Sequence, residues 1–146
     1  MNLMSTSTSE RTLLVISSDQ ANMLLMTQLI TTKRDDLKLL TAPNGKAGMI
    51  LASESPPQVV VLDTVLSDFC AKEVLKGLHG NPQTSQVPVI AVSPDAQEAQ
   101  IQAGLNAGFY RYLTKPYKLT DLLDAIDDSL RYGLGASERA NVRLSA

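Results

Sequence analysis

Two hydrophobic rhythms alternate along the chain. Leu13-Leu14-Val15-Ile16 is a short unbroken apolar run, the pattern of a strand covered on both faces. Ala21, Leu24, Leu25, Gln28 and Leu29 follow at helical spacing, with Met23, Met26 and Ile30 widening the apolar surface. Asp35-Asp36 reads as a turn before a weaker strand, Leu37 to Thr41. Asn44-Gly45 opens a helix through Ala47, Met49, Ile50 and Leu51, and Pro56-Pro57 stops it. Val59 to Asp63 is the third strand, followed by a helix whose inner face carries Val74, Leu75 and Leu78 and which Gly80-Asn81-Pro82 ends. Val87 to Val92 is the fourth strand, with Pro88 at its start, where no ladder bond is lost. Asp95 to Ala107 is predicted helical, with Asp95 and Glu98 at capping-box spacing and Gly108 as its stop. Phe109 to Leu113 is the fifth strand, and Leu119, Leu122, Leu123, Ile126 and Leu130 mark the last helix.

Five strand–helix units predict an α/β fold: a parallel sheet with helices on both faces and right-handed crossovers. The folded part is expected over residues 11–132, between an N-terminal tail, 1–10, and a C-terminal tail or linker, 133–146. The 146 residues suit one domain with a sizeable core. A net charge of −2 gives no electrostatic pull toward nucleic acid or an anionic membrane. One cysteine, Cys70, excludes an internal disulfide, and one histidine, His79, excludes the common zinc constellations. No apolar run approaches the roughly 18 residues of a membrane span, and Met1 to Glu10 lacks a signal-peptide core. A cytoplasmic protein is expected.

The candidate chemistry lies at the carboxyl ends of the strands, which share one rim in a parallel sheet. The first strand delivers Ser17, Ser18 and Asp19 there. The third delivers Asp63, the fourth Ser93, and the fifth Lys115-Pro116. A carboxylate, a hydroxyl and an ammonium at one edge suit a phosphoryl group: a nucleophile, a hydrogen-bond donor and a neutralising cation. Singly, Asp63 and Ser93 would be turn or cap residues and Lys115 a surface lysine. Their order and register together point to a site.

The segments LLVISSDQANMLL, TAPNGKAGMILA, VVVLDTVLSDFCAKEVL, VPVIAVSP and AGFYRYLTKPYKLTDLLDAI resemble the receiver domain of two-component response regulators over about residues 11–132. The resemblance implies a flavodoxin-like (βα)5 three-layer sandwich with strand order 2-1-3-4-5. It implies that Asp63 is the acceptor of phosphate from a histidine kinase or phosphotransfer protein, Ser93 the switch hydroxyl, Lys115 the phosphoryl contact and Tyr112 the aromatic switch. It also implies a cis bond between Lys115 and Pro116. A downstream protein or a second copy would bind through helix 4, strand 5 and helix 5.

Three departures from that pattern stand out. The family holds Mg²⁺ with an acidic pair where this chain has Ser17 and Ser18, and neutral hydroxyls do not replace that charge. Asp63 and the Val65 backbone remain as metal contacts. Asp19, one position late, is read as a helix-start residue and only secondarily as a ligand. Pro94 has no N–H where the family donates one to the phosphoryl group. Ser67 stands where the family often has proline, a change expected to touch only loop stiffness. An Asp63–Lys115 ion pair needing no metal is expected. The expected function is a non-enzymatic phosphorelay receiver with weakened Mg²⁺-dependent phosphorylation. The alternatives are a phosphorylation-independent binding module and, remotely, a small hydrolase. Cys70 and His79 are read as structural, Tyr110 and Tyr112 as facing opposite sides, and Asp121, Asp124, Asp127 and Asp128 as the solvated side of the last helix.

Overall fold

The computed structural model describes the backbone of residues 11–145 and the side chains of residues 11–132. The expected N-terminal tail lies outside the described residues. Among the described residues five strands, β1 (Arg11–Ile16), β2 (Leu37–Ala42), β3 (Val59–Asp63), β4 (Val89–Ser93) and β5 (Arg111–Thr114), alternate with five helices. These are α1 (Gln20–Lys33), α2 (Gly45–Glu54), α3 (Ala71–His79), α4 (Glu98–Ala107) and α5 (Leu119–Ser145). The sheet is parallel in the order β2-β1-β3-β4-β5. Among the described residues, no helix is long and apolar enough to cross a membrane.

The continuous apolar runs exist because both sheet faces are covered. Every residue of β3 and β4 is buried. Strand side chains alternate between faces. Leu14, Ile16, Val60, Leu62 and Ala91 pack with Val74, Leu75 and Leu78 of α3 on one side. Leu13, Val15, Val61, Ile90 and Val92 pack with Ile30 of α1 and Leu122 and Ile126 of α5 on the other. α2 lies so close to β1 that a Cβ on Gly48 would fall 2.4 Å from Ile16 Cδ1. Gly108 ends α4 with φ of 121°, a backbone conformation that favours glycine.

Several boundaries differ from the sequence expectation, each for a local reason. α4 starts at Glu98, not Asp95, with Gln97 as its N-cap and no capping side chain. The Asp95 carboxylate instead accepts from Gln97 N at 3.0 Å, closing a turn that competes with the helix. β4 starts at Val89, because Pro88 has no N–H and Val87 N is spent on Thr84 O. β5 starts at Arg111, because Phe109 N bonds back to Gly104 O at the end of α4. On α1 the buried residues are Met26 and Ile30, while Leu24 and Leu25 point outward at 60% and 57% exposure. α5 runs on to Ser145, through the segment expected to be a tail or linker. Ala136, Glu138, Arg139 and Ala140 are strong helix formers that offset Gly133 and Gly135, each costing about 1 kcal/mol.

Candidate functional site: the rim around Asp63

Asp63 is the last residue of β3 and only 4% exposed. Each of its oxygens holds a donor. Oδ1 accepts from the backbone N–H of Val65 at 3.0 Å, an Asx turn that starts the loop to α3. Oδ2 accepts from the Ser17 hydroxyl at 3.1 Å and from Lys115 Nζ at 3.3 Å. Ser17 is 1% exposed, and Lys115 retains 29% side-chain exposure. The expected ion pair is therefore formed, with a serine as its third member. A buried carboxylate demands such partners.

Lys115 follows β5, its N–H donates to Ser93 O at 2.8 Å, and its bond to Pro116 is cis. The next residue, Tyr117, packs against the core on the α1 and α5 side of the sheet. Burial, and then the Asp63 charge, push its phenol above the ordinary value. Ser93 ends β4 and is buried. Its hydroxyl accepts from Asp95 N at 3.1 Å across Pro94, so it is engaged with its own loop. Tyr112, half-buried on β5, shares an open cavity of about 320 Å³ with Ser93, Pro94, Val65 and Cys70.

The loop from β3 to α3 is tied down by contacts the sequence pattern does not show. The Ser18 hydroxyl donates to Ser67 Oγ at 3.1 Å and accepts from Ser67 N at 3.0 Å. Ser67 thus joins two strand ends, a larger role than the loop stiffness expected of it. Asp68 reaches across to α2: Oδ1 accepts from Gly45 N and Oδ2 from Lys46 N, at 2.8 and 2.9 Å. The Lys46 N–H, together with those of Gly45 and Phe69, holds the Asp68 carboxyl below the usual carboxylate range. Asn44 caps the same helix from its own position, accepting from Ala47 N. Glu73 accepts from Cys70 N at the start of α3. Nothing in the local sequence around Ser18 or Asp68 announces these bonds, because their partners lie 49 and 23 residues away.

The remaining candidates sort by contact. Asp19 accepts from Asn22 N at 3.0 Å as the N-cap of α1, the helix-start role expected of it. Cys70 is exposed, and His79 Nε2 lies 3.1 Å from Val87 O. Tyr110 stacks on Tyr132 with ring centroids 4.6 Å apart, while Tyr112 meets Phe109 edge-on at 6.5 Å. Two of the four aspartates expected in solvent are ion-paired: Asp127 with Arg34, and Asp128 with Arg111 and Arg131.

The donor set does not fit a divalent cation. Asp63 brings one carboxylate, and its Oδ2 already faces an ammonium that would repel the ion. Asp19 directs an oxygen at its own helix. Among the described residues no three His, Cys, Asp or Glu side chains stand together as a metal-holding group. Mg²⁺ favours carboxylate and phosphate oxygens, which Ser17 and Ser18 do not supply.

Residues 13–127 match the family model of the response regulator receiver domain. The transcriptional regulatory protein KdpE of Mycobacterium tuberculosis is 31% identical over 87% of this chain, which spans 54% of that relative's length. Protein PilH of Pseudomonas aeruginosa is 30% identical over 79% of this chain and 93% of its own. The CheY-like receiver domain protein from Methanospirillum hungatei superposes with a TM-score of 0.78, covering 88% of this chain and 99% of that one at 22% identity. The Mn²⁺-bound form of response regulator Rcp1 superposes with a TM-score of 0.66 at 26% identity, covering 78% of this chain and 87% of that one. The fold, the strand order and the matched family model agree, and the chain belongs to the response regulator receiver domain family.

Proposed function

We propose that this receiver domain carries its phosphoacceptor position at Asp63, takes up a phosphoryl group there weakly, and couples that group to the surface its partners bind. One observation carries the reading: both oxygens of Asp63 are already occupied, Oδ1 by Val65 N–H and Oδ2 by Ser17 and Lys115. Transfer from a phosphohistidine on a kinase or phosphotransfer partner forms a P–O bond at one Asp63 oxygen. The P–N bond breaks, and its electron pair leaves with the imidazole. Three donors already draw on the roughly four lone-pair sites of the Asp63 carboxylate, which lowers its nucleophilicity. Lys115 supplies one positive charge against the phosphoryl oxygens, and Pro94 has no N–H to add. Losing one preorganised donor to developing charge costs enzymes roughly 2.7–4 kcal/mol, or about 10²–10³ in rate.

Intact mass spectrometry after incubation with acetyl phosphate and Mg²⁺ tests this. A small fraction should gain one phosphoryl group, and none should in Asp63→Asn. The double variant Ser17→Asp/Ser18→Asp should be modified faster and with stronger dependence on Mg²⁺. Rapid, complete conversion of the native protein defeats the proposal.

The Ser18–Ser67 bond favours a second reading, a binding module independent of phosphorylation, since it joins the strand ends with no ion between them. Under that reading Asp63→Asn captures the same partners as the native protein; under the first, capture depends on phosphate.

A further inference from the structure

We infer that Gly104, on α4, is a positioning residue that gives the Tyr112 ring an inward slot against that helix. A Cβ built on Gly104 falls 2.7 Å from both Cδ2 and Cε2 of Tyr112. Real Cβ atoms do not approach that closely, so the ring occupies space that any other residue at position 104 would fill. Phe109 closes the slot from the side: its ring meets Tyr112 at 85°, and its Cδ2 lies 3.5 Å from the same Cβ position. Tyr112 also packs against the core cluster that contains Leu75 and Phe109. Gly104 is buried and stands inside α4, where it costs helix stability relative to alanine. The ring contact accounts for a glycine there.

The slot has a directional consequence. Tyr112 and Ser93 line one cavity, and the Ser93 hydroxyl is held by Asp95 N. A ring seated on Gly104 borders that cavity, and a ring displaced from it turns toward the outer surface of α4 and β5. Gly104 therefore sets which surface that face presents. This last step rests on reading Tyr112 as the aromatic switch; the packing of the slot does not.

Thermal unfolding of four proteins tests the slot: native, Gly104→Ala, Tyr112→Ala and the double variant. In the native background Gly104→Ala should lower Tm, because the methyl group meets the ring. In the Tyr112→Ala background the same change should raise Tm, since only the helix preference for alanine remains. A shift of the same sign in both backgrounds overturns the inference. If Gly104→Ala fails to fold, a double variant at least as stable as Tyr112→Ala upholds it, and a double variant that also fails overturns it. Fluorine NMR with 3-fluorotyrosine gives a readout that general destabilisation does not move. The Tyr112 resonance, identified by its loss in Tyr112→Ala, should shift toward the solvent-exposed position in Gly104→Ala, recorded at low temperature where that variant is folded. Tyr110, Tyr117 and Tyr132 should stay in place. An unmoved Tyr112 signal counts against the slot. The Asp95 amide separates the two readings. A shift there in Gly104→Ala supports coupling of ring and Ser93, while a moved ring beside an unmoved Asp95 amide keeps the slot and defeats the switch reading.

Discussion

A serine in place of an acidic residue does more at Asp63 than remove charge. Ser17 turns a position of carboxylate repulsion into a hydrogen bond, and Lys115 then shares the same Oδ2. The carboxylate is nearly sealed from water, so its stability depends on those two neighbours. Lys115→Met should destabilise the fold, measured by urea unfolding. The loss should fall short of the ~3–5 kcal/mol of a fully buried pair, because Lys115 keeps 29% of its side-chain surface in water. A change within error would show that Ser17 and the Val65 N–H suffice to hold the charge. Asp63 and Ser93 were legible in the sequence because each ends a recognisable apolar run, and Lys115 because it follows the fifth strand of the alternation. Ser67 was not, because a serine in a loop carries no sign of a partner 49 residues away.

At the scale of elements, the strands were readable from their continuous apolar runs, and the helix ends less so. Asp95 shows why: a carboxylate three residues before Glu98 satisfies the capping pattern, yet the same carboxylate can close a turn, and here it does. The α1 leucines show a second limit. The period identifies a helix, but Leu24, Leu25, Met26 and Ile30 are all apolar, and only packing on the sheet decides that the last two face inward. Close approach between elements is also invisible in the pattern. Gly48 lets α2 settle on Ile16 of β1. Gly48→Ala adds a methyl group whose Cβ lies within 3.1 Å of three Ile16 carbons, and overpacking of this kind costs about 1–3 kcal/mol. Chemical denaturation should show that loss despite the better helix propensity of alanine. Equal or greater stability would mean that α2 can shift outward at little cost.

Across the whole molecule, ion pairs at its flank tie elements together: Arg34 after α1 holds Asp127 of α5, 93 residues on, and its neighbour Asp36, and Arg111 of β5 holds Asp128 of α5. The Arg34 guanidinium lowers the Asp36 carboxyl from 3.8 to about 2, and the α2 backbone donors lower Asp68. A depressed carboxyl stabilises the fold fully above its unfolded value and loses that contribution as pH falls through its folded value. Tm should therefore drop between about pH 4 and pH 2, and Asp36→Asn and Asp68→Asn should each flatten that drop. An unchanged acid limb in both variants would place the acid sensitivity elsewhere. The Ser18–Ser67 bond bears on the intact domain in a different way. Two uncharged hydroxyls feel neither ionic strength nor a chelator, so this link across the rim is deaf to the supply of magnesium. In a reconstituted relay, a chelator would silence every step that needs the ion and leave this link standing, so any partner still retained under chelation has been recognised without the ion.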